Sequence, residues 1–234
     1  MSDFTYVGSE LEIFEKAVNW KAYFRDQLLP HVRGAILEVG AGIGANTPWF
    51  AQSGYARWVC LEPDAALCEQ LRSNVRGLRD VEVVSGVLAN LPAERSFDSI
   101  LYLDVLEHIE DDRAELRHAA ARLRPGGSLV VLAPAHPWLF SAFDRAIGHF
   151  RRYTRASLRA VAPPQLPLVT LRYLDAAGML ASLGNRLLLK QAAPSQAQIL
   201  LWDRRLVPVS RLVDHLLGHR VGKSILAVWQ RPEA

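Results

Sequence analysis

Two carboxylates flank a glycine-rich run in the first third of the chain. Glu38-Val39-Gly40-Ala41-Gly42-Ile43-Gly44 follows the apolar Ala35-Ile36-Leu37, and Glu62 ends the next apolar run, Trp58-Val59-Cys60-Leu61. Glycines at alternate positions let the backbone turn sharply where a Cβ would collide with a ligand. A carboxylate at the end of a second strand can accept hydrogen bonds from both hydroxyls of a ribose, and it repels a 2′-phosphate. The glycine spacing is Gly-x-Gly-x-Gly, which differs from the Gly-x-Gly-x-x-Gly of dinucleotide sites. Glu38 could accept from a ligand's amino group, whereas a pyrophosphate would be repelled by it. The pattern therefore favours a nucleoside carrying a cationic amino acid over a dinucleotide. Taken alone, such a turn is also compatible with an ordinary strand-to-helix connection.

A second set of reactive groups lies further along. Asp104, His108, His136, Asp144 and His149 are the titratable candidates nearest to this region in sequence order. His136 follows a strand and is flanked by Pro134 and Pro137. A neutral imidazole there could take a proton from a hydroxyl near neutral pH, or it could satisfy backbone groups of the turn. Asp144, Arg145, His149, Arg151, Arg152 and Tyr153 form the most unusual cluster. Arginines hold carboxylates or phosphates in bidentate geometry, which suits an acceptor molecule. The alternative is an internal salt-bridge network of Asp144 with Arg151 or Arg152 that fixes the loop. No His/Cys group has metal-ligand spacing, so no metal is expected.

The elements that must position these groups are legible in the apolar periodicity. Residues 11–29 read as one amphipathic helix ended by Pro30. Strands are expected at residues 35–39, 58–61, 81–85, 97–103 and 128–133. Helices are expected at 46–53, 63–75 and 113–123, with Pro63 in a first helical turn. Arg124-Pro125-Gly126-Gly127 reads as a turn. Alternating strands and helices require crossovers and give a parallel sheet covered on both faces. Residues 135–153 are aromatic, polar and poorly periodic, a candidate binding loop or lid. A capped helix at 154–161, a strand at 168–174, an apolar helix at 176–190, a helix at 206–217 and a final strand at 224–230 complete the chain. The last two strands could close the sheet, with one antiparallel member. The segment 179–189 could be core, a pocket roof, a dimer face or a membrane-surface helix.

Composition bounds the rest. The 234 residues are 50% hydrophobic and 22% charged, with a net charge of +3. That suits one domain over residues 1–234, with an N-terminal helical cover at 1–34, a ligand-binding core at 35–134 and acceptor-binding segments at 135–234. The mild basic excess does not indicate nucleic acid. Cys60 and Cys68 are too few for a disulfide framework and read as reduced thiols of a cytoplasmic protein. No leader or membrane span is expected, although peripheral membrane contact is compatible with the sequence.

Taken together, residues 36–47, 61–64, 97–112 and 123–134 resemble, in order and spacing, the motifs of class I S-adenosylmethionine-dependent methyltransferases. The resemblance implies a Rossmann-like α/β fold, a mainly parallel seven-stranded sheet with one antiparallel strand and helices on both faces, and S-adenosyl-L-methionine as cofactor. It implies that Gly40, Gly42 and their neighbours Glu38, Ala41, Gly44, Asn46 and Thr47 pack on the methionine part. Glu62, beside Pro63, would hold the ribose, and Gly86, Val87 and Leu88 would flank the adenine. Leu103 and Asp104 would lie beside the sulfonium, and Trp20 and Tyr23 could lie over the cofactor as part of an N-terminal cover or belong to the core of the amphipathic helix. Many relatives carry an acid at the position of Val87, so adenine recognition here would rest on backbone groups or Asn90. Residues 6–23 and 144–158 resemble a bacterial subgroup associated with lipid or glycan assembly and secondary metabolism. The implied reaction is methyl transfer by direct displacement, with O-methylation favoured, to a small-molecule or lipid-linked acceptor. His136, His149 and Asp144 are then the candidates for catalysis, and Arg151, Arg152 and Tyr153 for acceptor binding, in a monomer or homodimer. An NAD-dependent oxidoreductase or epimerase, or a cofactor-binding subunit without turnover, are the alternatives.

Overall fold

The computed structural model describes residues 6, 11–50, 54–184 and 194–233. Its strands are β1 (Ala35–Val39), β2 (Arg57–Glu62), β3 (Val81–Ser85), β4 (Phe97–Leu103), β5 (Leu123–Pro134), β6 (Leu168–Leu174) and β7 (Ser224–Gln230). Among the described residues they form one seven-stranded sheet in the order β3-β2-β1-β4-β5-β7-β6. β7 runs antiparallel to both β5 and β6, and the other neighbouring pairs are parallel. The helices are α1 (Leu11–Glu15), α2 (Val18–Leu28), α3 (Thr47–Phe50), α4 (Ala65–Asn74), α5 (Asp112–Ala121), α6 (Ala142–Ala146), α7 (Arg155–Val161), α8 (Ala176–Gly184), α9 (Gln196–Leu201) and α10 (Val207–Leu216). No helix among the described residues is long and apolar enough to cross a membrane. The expected helix end at 185–190 and the residues 51–53 lie outside the described residues.

Strand alternation sorts the core into two layers. Leu37, Val39, Ile100, Tyr102, Leu129 and Val131 pack with Leu116 of α5 and Leu158 of α7 on one face. Ile36, Trp58, Cys60, Leu101, Val130 and Leu132 pack with Phe24 of α2 and Val207 of α10 on the other. Every residue of β1 is buried, as expected for a strand covered on both faces. Each large apolar side chain so buried contributes about 1.5–3 kcal/mol.

Several expected boundaries are corrected. The single helix at 11–29 is two, because the Lys21 ammonium donates to the carbonyls of Phe14 and Glu15 and ends α1. The turn at 124–127 is absorbed into β5: Leu123 pairs with Phe97 and Ser128 with Ser99, so the Arg-Pro-Gly-Gly run bulges between two registered pairs. Pro63 precedes the helix, and Asp64 caps it by accepting from the N–H groups of Ala66 and Leu67. α9 was not expected. It leads into a π-helical turn, Trp202–Leu206, just before Pro208, which has no N–H to continue the α-helical ladder.

Candidate cofactor and acceptor site

The sheet order reverses between β1 and β4, and the glycine loop leaves β1 at that switch point, where open α/β sheets bind ligands. Gly40 and Ala41 give their N–H groups to the carbonyl of Leu61 at the end of β2. Gly42 gives its N–H to Glu62 Oε2 at 2.8 Å, and Asp64 N–H serves Glu62 Oε1 at 3.0 Å. Burial raises the Glu62 carboxyl above its ordinary value, and the two backbone donors pull it back down. Gly40 and Gly42 have φ +66 and +56, a region L side chains rarely adopt. A Cβ on Gly40 would also lie 2.6 Å from Val105 Cγ1, so this position requires glycine twice over. Glu62 retains lone pairs for two hydroxyls, and a Cβ added on Gly42 would meet only Leu11 methyls, at 3.7 and 3.8 Å. A carboxylate tied to an open glycine turn fits a ribonucleoside.

Other expected contacts are redirected. Glu38 is 1% exposed, and its Oε2 accepts from Thr47 Oγ1 at 2.7 Å and Trp58 Nε1 at 2.9 Å. Burial pushes its carboxyl up to about 7, against those two donors. Thr47 is fully buried, so its side chain supports Glu38 behind the loop and does not face a ligand. Leu88 is likewise corrected to core, because its side chain is fully buried in the apolar layer beneath the loop. Tyr23 is buried and donates to Asp214 Oδ2 at 2.7 Å, which ties α2 to α10. Ala41 and Leu103 are nearly buried, while Asn46 and Pro63 are half-buried. Gly86 gives its N–H to the carbonyl of Glu62, and Val87 is exposed with its N–H held by Asn90 Oδ1 at 3.0 Å. Gly44 has φ +77 and lies against Leu71 of α4.

Asp104 leaves β4 with φ 55 and gives its N–H to Leu132. Protein packed around it raises its carboxyl, while His149, Lys223, Lys21 and Arg152 pull it down. Its side chain still meets solvent, which tempers the upward push. Lys21 and Lys223 had no sequence signal, and only the fold directs their charge toward Asp104.

The cluster at 135–153 is an internal network, as one of the two sequence readings held. Asp144 is fully buried and caps α6 through Ser141, and it accepts from Arg152 Nε at 2.7 Å and Arg152 Nη2 at 3.0 Å. These partners hold its carboxyl below the ordinary range despite the desolvation that opposes them. Arg151 pairs with Asp112 at 2.7 Å and donates to the carbonyls of Ile109 and Glu110. Tyr153 is 1% exposed and donates to Asp112 Oδ2 at 2.8 Å. Arg151, Arg152 and Tyr153, the candidates for acceptor binding, thus direct donors to Asp112, Asp144 and backbone carbonyls, which fixes the loop. His136, at φ 65, holds the carbonyl of Gly222 with Nε2 at 3.0 Å and stacks on Tyr173, so that nitrogen is committed to the backbone.

His149 differs from these. Its Nδ1 faces Asp144 Oδ1 at 3.0 Å, and its Nε2 stands 3.8 Å from Glu107 Oε1. The His108 ring lies edge-on to it, with centroids 4.4 Å apart. Burial and the neighbouring His149 lower His108 to about 4. Glu107 sits in the turn Leu106–His108 that follows β4.

Comparison with known proteins matches the part of the chain that carries the glycine turn and Glu62. Residues 37–131 match the family described as "Methyltransferase domain". The chain is 32% identical over 110 residues to a demethylmenaquinone methyltransferase of Tropheryma whipplei, covering 46% of this chain and 44% of that protein. It is 33% identical over 107 residues to a ubiquinone biosynthesis O-methyltransferase of Xanthomonas campestris, covering 44% and 43%. This chain thus spans less than half the length of these relatives. The N-methyltransferase NodS of Bradyrhizobium japonicum in complex with S-adenosyl-L-homocysteine superposes with a TM-score of 0.57 at 16% identity, covering 94% of this chain and 88% of that one, a likeness of fold.

Proposed function

We propose, from the premise that residues 37–131 belong to the methyltransferase domain family, that this chain moves a methyl group from S-adenosyl-L-methionine to a small-molecule or lipid-linked acceptor. The observation that carries this reading is the Gly42 N–H bond to Glu62 Oε2, which joins the glycine turn and the carboxylate into one receptor at the β1/β4 switch. When bound, the cofactor supplies an electrophilic methyl group on a sulfonium. Glu62 would accept from the ribose hydroxyls, the Gly40–Gly44 backbone would cradle the amino-acid part, and Gly86 and Val87 would flank the base. Asn90 is committed to the Val87 N–H, which favours backbone groups for reading the adenine edge.

Direct displacement asks the protein to align donor and acceptor and to exclude water, with no covalent intermediate on the chain. Asp104 is exposed at the carboxyl end of β4, and its raised carboxyl is suited to hold an acceptor hydroxyl or take its proton, which favours O-methylation. Asp144 and His149 act as a positioning pair behind it, and His136 fixes the β5 exit. Exposed Trp138 and Phe150 near that exit, and exposed Leu212 and Leu216 on α10, support an acceptor with an apolar part.

Calorimetry with S-adenosyl-L-homocysteine and, separately, NAD tests the cofactor assignment. Binding of the first alone is expected, and binding of NAD in its place overturns it. Incubation with methyl-tritiated cofactor and fractionated small molecules and lipid extracts should label a product. Cofactor binding without labelling in any fraction favours a subunit that lacks turnover.

A further inference from the structure

We propose that Glu107, His108 and His149 form a binding site for one divalent first-row transition metal ion. Each residue offers one ligand atom, and these atoms all lie within 4.8 Å of one another. In a tetrahedral zinc site with bonds of about 2.0–2.2 Å, ligand atoms stand roughly 3.4 Å apart, so the three side chains need close by no more than about 1.4 Å on an ion.

Glu107 points to a cation independently of that spacing. The residue is fully buried, and neither carboxylate oxygen has a hydrogen-bond partner. Leaving such a group unmatched is costly, and native chains rarely do so without a role for it. His149 Nε2, 3.8 Å away, is too far for a hydrogen bond but is aimed at the same space.

The surroundings are those of a metal-binding histidine. Asp144 accepts from His149 Nδ1, so the lone pair of the neutral ring sits on Nε2, on the Glu107 side. A carboxylate behind a ligating imidazole fixes its tautomer and raises its basicity. Asp144 is itself clamped by Arg152 and Ser141, so the orientation is rigid. Two imidazoles and one carboxylate select zinc, iron, cobalt or nickel over magnesium and calcium, which prefer all-oxygen sites. His149 keeps a 10% exposed side chain and His108 is half-buried, so an ion has a way in. The site adjoins Asp104 at the end of β4. Its occupancy is a question separate from methyl transfer, because binding is read without turnover.

The test is a titration of the tag-free, chelator-treated full chain with Zn2+ by calorimetry, and with Co2+ by visible absorption. One equivalent is expected at micromolar affinity or tighter, with ligand-field bands for Co2+. Glu107→Gln and His108→Gln should each weaken binding by at least about 100-fold, and Asp144→Asn by roughly 10–100-fold. His118→Gln, on the exposed side of α5, should leave it unchanged. Circular dichroism of each variant checks folding. Absence of a stoichiometric site in the wild type overturns the proposal whatever the variants do. So does equal binding by Glu107→Gln and His118→Gln. A wild type that binds no ion, with a Glu107→Gln variant of higher thermal stability, would assign the buried carboxyl to a proton instead.

Discussion

Asp203 Oδ1 accepts the backbone N–H of Trp20 at 2.8 Å, across 183 positions of sequence. The same carboxylate takes the N–H of Asn19 at 3.2 Å and the Asn19 side-chain amide at 3.0 Å. α2 begins after Ala17, which has no side chain able to cap it. The first turn of an N-terminal helix is therefore satisfied by an acid from the π-helical turn before α10. Because the bond is buried, Asp203→Ala should lower stability by about 1–3 kcal/mol, read as a lower urea midpoint. An unchanged midpoint would show that α2 holds its first turn without this partner.

Glu62→Ala removes both the anchor of the Gly42 N–H and the acceptor proposed for the ribose. Charged hydrogen bonds contribute about 1.5–3 kcal/mol each, so affinity for S-adenosyl-L-homocysteine should fall on the order of 100-fold. Calorimetry on the folded variant measures this. Full affinity there would move the nucleoside to another place on the molecule.

Gly40→Ala places a Cβ against Val105 at a positive φ. The left-handed strain alone costs roughly 1–2 kcal/mol, and the collision adds to it. A lower thermal midpoint together with weakened nucleoside binding is the expected result. Melting indistinguishable from wild type would mean that the turn can relax without loss.

Glu38 makes stability depend on pH. Its carboxyl is raised from 4.5 in the free side chain to about 7 in the fold, mainly by burial. Between those values the folded chain holds a proton that the unfolded chain has released. The contribution is thus complete below about pH 4.5, declines as pH rises, and is lost by about pH 7, a change on the order of 3 kcal/mol. Glu38→Gln should flatten this part of the curve. Parallel urea-stability profiles for the two proteins between pH 5 and 7 would refute the buried-proton account.

Local order was open to reading from residue types. Ile36, Leu37 and Val39 make a strand that must be buried, the glycines after it permit the turn, and Glu62 stands where the next strand stops. These signals need only neighbours a few positions apart, because apolar period and backbone freedom are local properties. The bulge at Arg124–Gly127 and the split of the first helix were not legible. One depends on how β5 registers with β4, and the other on Lys21 finding carbonyls of the preceding turn.

The sequence by itself determined the strand-and-helix alternation, the glycine turn and the acid that faces it, since each is a property of a short stretch. Only the tertiary structure decided which donor meets which acceptor. It turned Tyr153 and Arg151 inward to Asp112, set Tyr23 on Asp214, and brought Glu107 and His149 together from separate segments. A side chain's partner follows from sheet register and helix placement over the whole chain, and no local pattern encodes that sum.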